Sequence, residues 1–121
     1  FELCIINYKS INMEIKIKTK NNILIITLKG SIDSKTAPEV QQKVLESSVN
    51  SKNVIIDLTS VDFVSSAGLR VLLMLYRQIK VKNGKVVLVG VSEEITDIMS
   101  MTGFINFFEI IDTVENALNT Y

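Results

Sequence analysis

Apolar and polar positions alternate from Met13 to Lys20, with Ile15 and Ile17 on one side and Glu14, Lys16 and Lys18 on the other. A period of two is that of a strand with one face in solvent. Asn21-Asn22 follows, and asparagine tolerates the positive φ of a tight turn. Ile23 to Leu28 is a second strand, more apolar and hence more central, and Gly30 is expected to end it. Ser31 to Lys35 reads as a loop and Thr36 as the N-cap of a helix, with Pro38 in its first turn. Val40, Val44, Leu45 and Val49 give this helix its apolar spacing to about Ser48. Lys52 to Leu58 contains an unbroken apolar run, the pattern of a strand covered on both faces of a parallel sheet.

Beyond a short polar turn, Leu69, Leu72, Leu73 and Tyr76 mark a helix from Ser66 to Lys82, stopped by Asn83-Gly84. Lys85 to Val89 is another buried strand. Ser92 is placed to cap a third helix, Glu93 and Glu94 suit its dipole, and Gly103 closes it. Met99, Met101 and the Phe104–Phe107–Phe108 group are expected in the core. Phe107 to Ile110 reads as a short strand, and Asp112 as the cap of a last helix through Leu118. The order β-β-α-β-α-β-α-β-α predicts an α/β fold, with a mostly parallel central sheet, an antiparallel N-terminal strand and about four helices. The domain proper spans residues 13–121, and residues 1–12 are expected to be a leader or an additional edge strand.

Composition narrows the chemistry. A chain of 121 residues, 47% apolar, is one domain with a substantial core. Thirteen basic and thirteen acidic side chains cancel without a basic run, which argues against direct binding to nucleic acid. No segment has the length of a membrane span, so no membrane partner is expected. The lack of histidine removes the commonest general base and metal ligand, and there is neither a GxGxxG nor a P-loop motif. No enzyme activity, metal or cofactor is therefore expected. The lone cysteine, Cys4, fits a reducing cytosol.

What remains is the segment Asp57-Leu-Thr-Ser-Val-Asp-Phe-Val-Ser-Ser-Ala-Gly-Leu69. It delivers Ser65 and Ser66 to the start of a helix. First-turn N–H groups and the positive end of the helix dipole there favour an added phosphate. Serine is also a preferred N-cap, so a purely structural role stands beside the functional one. Three features favour presentation to a partner. Two serines occupy a place where one cap suffices. Gly68 lies in a helical turn where glycine is disfavoured. Ala67 and Gly68 keep Ser66 approachable, while Leu69 and Arg70 are expected at an exposed helix tip, Leu69 as an apolar anchor and Arg70 as a contact for a carboxylate. On this reading a large side chain at Gly68 costs partner affinity more than stability. Asp33 is either a turn residue or, if the second and third strands are neighbours, a hydrogen-bond partner for Ser66 at the same sheet edge.

The stretch Phe63-Val64-Ser65-Ser66-Ala67-Gly68-Leu69 after its Val-Ile-Ile-Asp-Leu strand resembles the signature of STAS-domain anti-sigma-factor antagonists. Leu28 to Asp33 with Thr36-Ala37 resembles their first conserved loop, and Met101-Thr102-Gly103-Phe104 a third, weaker signature. The resemblance implies a bacterial partner switch. The unphosphorylated antagonist binds a GHKL-type anti-sigma factor that is also a serine kinase, and sigma factor is released. The kinase then phosphorylates the antagonist, which detaches, and a PP2C-type phosphatase restores it. The acceptor position falls on Ser66 and the loop aspartate on Asp33. The implied partner surface is Asp33, Ser65, Ser66, Gly68, Leu69 and Arg70 on a cytoplasmic monomer or weak dimer. Many members carry Asp where this chain has Ser65 and Ser where it has Ala67, so Ser65 stays open as a second acceptor. The alternative is a non-phosphorylated STAS scaffold or ligand-sensing module.

Overall fold

The computed structural model describes residues 2–10 and 13–121, with side chains described from Asn7 onward within that span. Strands β1 (Glu2–Lys9), β2 (Met13–Lys20) and β3 (Ile23–Ile32) are followed by helix α1 (Ala37–Ser47), strand β4 (Asn53–Val64) and helix α2 (Ser66–Lys80). Strand β5 (Lys85–Val89), helix α3 (Glu93–Thr102), a 3-10 turn (Phe104–Phe107), strand β6 (Glu109–Ile111) and helix α4 (Val114–Leu118) complete the order.

The six strands lie side by side in chain order. β1–β2 and β2–β3 pair antiparallel, and β3–β4, β4–β5 and β5–β6 pair parallel. The α/β class, the antiparallel N-terminal strands and the four helices agree with the sequence reading. Asn21 and Asn22 close the β2–β3 hairpin at φ 55° and 64°, the left-handed region that a two-residue primed turn requires.

Chain-order topology explains the layering. Successive parallel strands advance across the sheet in one direction, and right-handed crossovers then leave their helices on one face. Val40 and Val44 of α1, Leu72 and Leu75 of α2 and Ile95 and Met99 of α3 share a core with Ile26, Val54, Ile56 and Leu88. The opposite strand positions, Ile25, Ile55, Val87 and Val89, pack on Ala117, Val114 and Leu118 of α4 and on Tyr121. The Tyr121 hydroxyl lies 2.6 Å from the Val54 carbonyl oxygen, 67 residues away in sequence. Burial pushes its ionisation far above the usual tyrosine range.

Several boundaries differ from the sequence reading. β3 runs through Gly30 to Ile32, and β4 continues to Val64 instead of breaking into a turn after Leu58. α1 ends at Ser47, which leaves Val49 exposed, and α2 ends at Lys80. Phe107 belongs to the 3-10 turn, and the last strand begins at Glu109. Thr113, not Asp112, caps α4, and the Asp112 carboxylate accepts from the Asn116 side-chain amide at 2.7 Å. Met99 is buried, but Met101 is 85% exposed because α3 turns it away from the sheet. Phe108 is buried, whereas Phe107 is 42% exposed.

Candidate functional site

β3 and β4 outrun their neighbour. Pairing of β4 with β5 stops at Asp57–Val89, whereas β3 and β4 stay paired to Ile32–Val64. Two register shifts interrupt that extension, one as Thr27–Asp57 gives way to Lys29–Ser60, the other as Gly30–Val61 gives way to Ser31–Phe63. Each inserts one extra residue in β4, which is how a bulge bends and re-aims a strand. Gly30 takes φ 123°, a conformation that side chains oppose, beside the second bulge. The last rung of the ribbon is a bond from the Ser65 N–H to the Ile32 carbonyl oxygen, 2.8 Å. Asp33 and Ser66 therefore leave from adjacent strand ends.

Asp33 builds the turn into α1. Its Oδ1 accepts from the backbone N–H of Lys35 at 2.9 Å and of Thr36 at 3.1 Å. These bonds hold its carboxyl below the usual aspartate range. Thr36 stands at the N-cap position, but its side chain makes no capping bond. Its buried hydroxyl instead donates to the Ser31 carbonyl oxygen at 2.7 Å and accepts from the Asp33 N–H at 2.9 Å. Among the described residues no hydrogen bond joins Asp33 to Ser66. That expected contact gives way to the turn's own need for an acceptor.

At the neighbouring strand end the two serines divide the labour. Ser65 is extended, at φ −82° and ψ 177°, and its Oγ accepts from the Gly68 N–H at 3.3 Å. Ser65 is therefore the N-cap, and the structural role that the sequence left open for Ser66 belongs to its neighbour. Ser66 is the first helical residue, exposed, with its hydroxyl outside every hydrogen bond of the described residues.

Gly68 and Leu69 do not lie on the surface as expected. A Cβ at Gly68 would stand 2.8 Å from Ile32 Cγ2 and 2.8 Å from Val64 Cγ1. The glycine lets the first turn of α2 rest directly on the ribbon tip. Leu69 is 4% exposed and packs in the main core, so it offers no anchor to a partner. Arg70 is exposed, as expected. The sequence reading missed Phe63, which is 49% exposed at the same edge. The signal is faint: only the bulge before it turns a motif phenylalanine outward.

Beside Asp33 an open cleft of about 550 Å³ is lined by Lys9, Glu14, Lys29, Lys35 and Asp62 among others, charges of both signs. Among the described residues no group of three acidic, Cys or His side chains is placed to hold a metal, and no helix is long and apolar enough to cross a membrane.

Known proteins share this fold. The chain is 32% identical over 111 residues to an anti-sigma-B factor antagonist of Listeria monocytogenes, covering 91% of this chain and 96% of that protein. A crystal structure of an anti-sigma factor antagonist from Mycobacterium paratuberculosis superposes with a TM-score of 0.80 at 24% identity, over 89% of this chain and 92% of that one. The Bacillus cell fate determinant SpoIIAA, in its phosphorylated form, gives a TM-score of 0.66 at 15% identity over 97% and 98% of the two chains. The pattern of the STAS domain family matches residues 14–117, from the second residue of β2 to the fourth of α4, and the chain belongs to that family.

Proposed function

We propose that this protein is an anti-sigma factor antagonist of the cytoplasm, switched by phosphorylation of Ser66. Unmodified, it binds an anti-sigma factor that is also a GHKL-type serine kinase, and sigma factor is freed. The kinase moves the γ-phosphoryl group of ATP to the Ser66 oxygen: the O–P bond forms, the bond to ADP breaks, and the hydroxyl proton leaves. A PP2C-type phosphatase hydrolyses the phosphoserine. The observation that carries this reading is the division between the serines. Ser65 supplies the cap, and Ser66 stands exposed with a hydroxyl that no hydrogen bond among the described residues uses. The names of the relatives supply the regulatory context.

Phosphate adds a charge of roughly −1.5 to −2 at neutral pH. Within the monomer it meets the N-terminal dipole of a fifteen-residue helix. In a complex it meets a surface shaped for a hydroxyl. Release then follows from local charge without refolding.

The test is to incubate the chain with a candidate kinase and ATP and map phosphate by mass spectrometry. Ser66→Ala abolishes incorporation and Ser65→Ala retains it. The reverse result moves the acceptor by one residue, and no incorporation with any cognate kinase favours a scaffold. Ser66→Asp weakens kinase binding while the circular-dichroism spectrum stays near native.

A further inference from the structure

We infer that Arg70 clamps a phosphate carried on Ser66, so that modification withdraws from the partner the arginine that the unmodified chain presents to it. This rests on the proposed function in taking Ser66 as the residue that carries phosphate and in the partner that Arg70 meets when Ser66 is unmodified.

Both residues lie in α2, which is unbroken from Ser66 to Lys80. A spacing of four puts two side chains on one helix face, with Cβ atoms about 5–6 Å apart. Helical side chains lean toward the N-terminus, so the long arginine stem reaches back over the turn that carries Ser66. An anion four residues before a cation is also the favourable order.

Arg70 has nothing else to hold. It is exposed, and among the described residues it has no carboxylate, carbonyl or aromatic ring as a partner. The first turn of α2 contains no acidic side chain. The helix's other basic residues, Arg77 and Lys80, stand in its last turn, where the dipole welcomes them. Arg70 sits near the opposite end, where a cation gains nothing from the dipole. A phosphate on Ser66 supplies the missing anion. The guanidinium fork then meets two of its oxygens at once, a geometry that a lysine lacks.

The other charged groups at this edge do not compete for the role. Asp33 and Asp62 are acidic and repel a phosphate. Lys35 lies across the Asp33 turn, on the side of the cleft. With Ser66 unmodified, Arg70 remains free to pair with a carboxylate on the partner.

The test uses the full chain with phosphoserine installed at position 66 during synthesis, so no kinase is involved. Phosphorus NMR follows the second ionisation of the phosphate in the wild-type background, in Arg70→Gln and in Arg70→Lys. The helix N-terminus acts equally on all three, so differences report residue 70. The clamp predicts that Arg70→Gln raises that pKa by about 0.15–0.4 of a pH unit, the size of one i,i+4 charge pair. Arg70→Lys falls between the two. The same pKa in all three chains overturns the clamp. A shifted pKa together with a chain that no kinase phosphorylates would sink the proposed function and leave the clamp standing.

Discussion

Along β4, Val54–Asp57 lies between two strands, while Leu58–Val64 is paired with β3 alone. In the first stretch successive side chains enter opposite cores: Val54 and Ile56 meet the three crossover helices, and Ile55 meets α4. In the second, only Leu58, Val61 and Val64 are buried, one residue in three, because each bulge inserts a residue. One length of strand is thus fixed by packing on both faces, and the next is held on one side and re-aimed. The fold draws its stability from the first, and the second carries the exposed serine.

The sharpest way to break that contrast is to truncate one side chain from each stretch. Ile55→Ala should cost about 2–5 kcal/mol in urea melts, as for large-to-small changes in packed cores. Asp62→Ala, on the ribbon, should stay within about 0.5 kcal/mol. Equal costs would mean that the ribbon is as much a part of the core as the sheet centre.

Gly68 comes next, where the first turn of α2 rests on the ribbon tip. Gly68→Ala should lose about 1–3 kcal/mol, the usual range for overpacking, even though alanine is the better helix former. A stability gain would show that the ribbon tip yields and that Gly68 serves access instead. The serines give a smaller split. Ser65→Ala should lose about 1 kcal/mol with its cap, and Ser66→Ala less than about 0.5 kcal/mol. The smallest effect belongs to Asp33, whose folded carboxyl titrates below the usual 3.8. Its contribution is complete above that value and is lost as pH falls through the lower, folded one. The gap in urea midpoint between wild type and Asp33→Asn should therefore hold steady above about pH 4 and close in more acid solution. A gap that widens on acidification would reverse the assignment.

The same contrast explains what the sequence revealed. Regular alternation in β2, the double-faced run Val54–Ile56 and the caps at Ser92 and Gly103 obey simple periods and were legible. Beyond Leu58 the buried positions recur every three residues, which matches neither a strand nor a helix, so the ribbon resembled a turn. The motif drew attention to the two serines, but it could not tell which was the cap. That choice depends on the extended backbone of Ser65, fixed by its bond to Ile32. Nor could it reveal that Gly68 faces inward, because one of the two side chains it rests on, Ile32, belongs to β3, more than thirty residues earlier in the chain.

β6 is only three residues long, and it is all that stands beside β5 on that side. It is steadied by the Tyr76 ring, whose centroid lies 5.2 Å from that of Phe107 and 5.6 Å from that of Phe108, and by Lys85–Glu109 at 3.3 Å. A strand so short offers a second chain few free backbone groups. If it lifts, the exposed edge becomes Lys-Val-Val-Leu-Val, a sequence suited to stacking with copies of itself. The packing of Tyr76 on Phe107 and Phe108 therefore helps keep β5 covered, a contribution separate from anything the serines do.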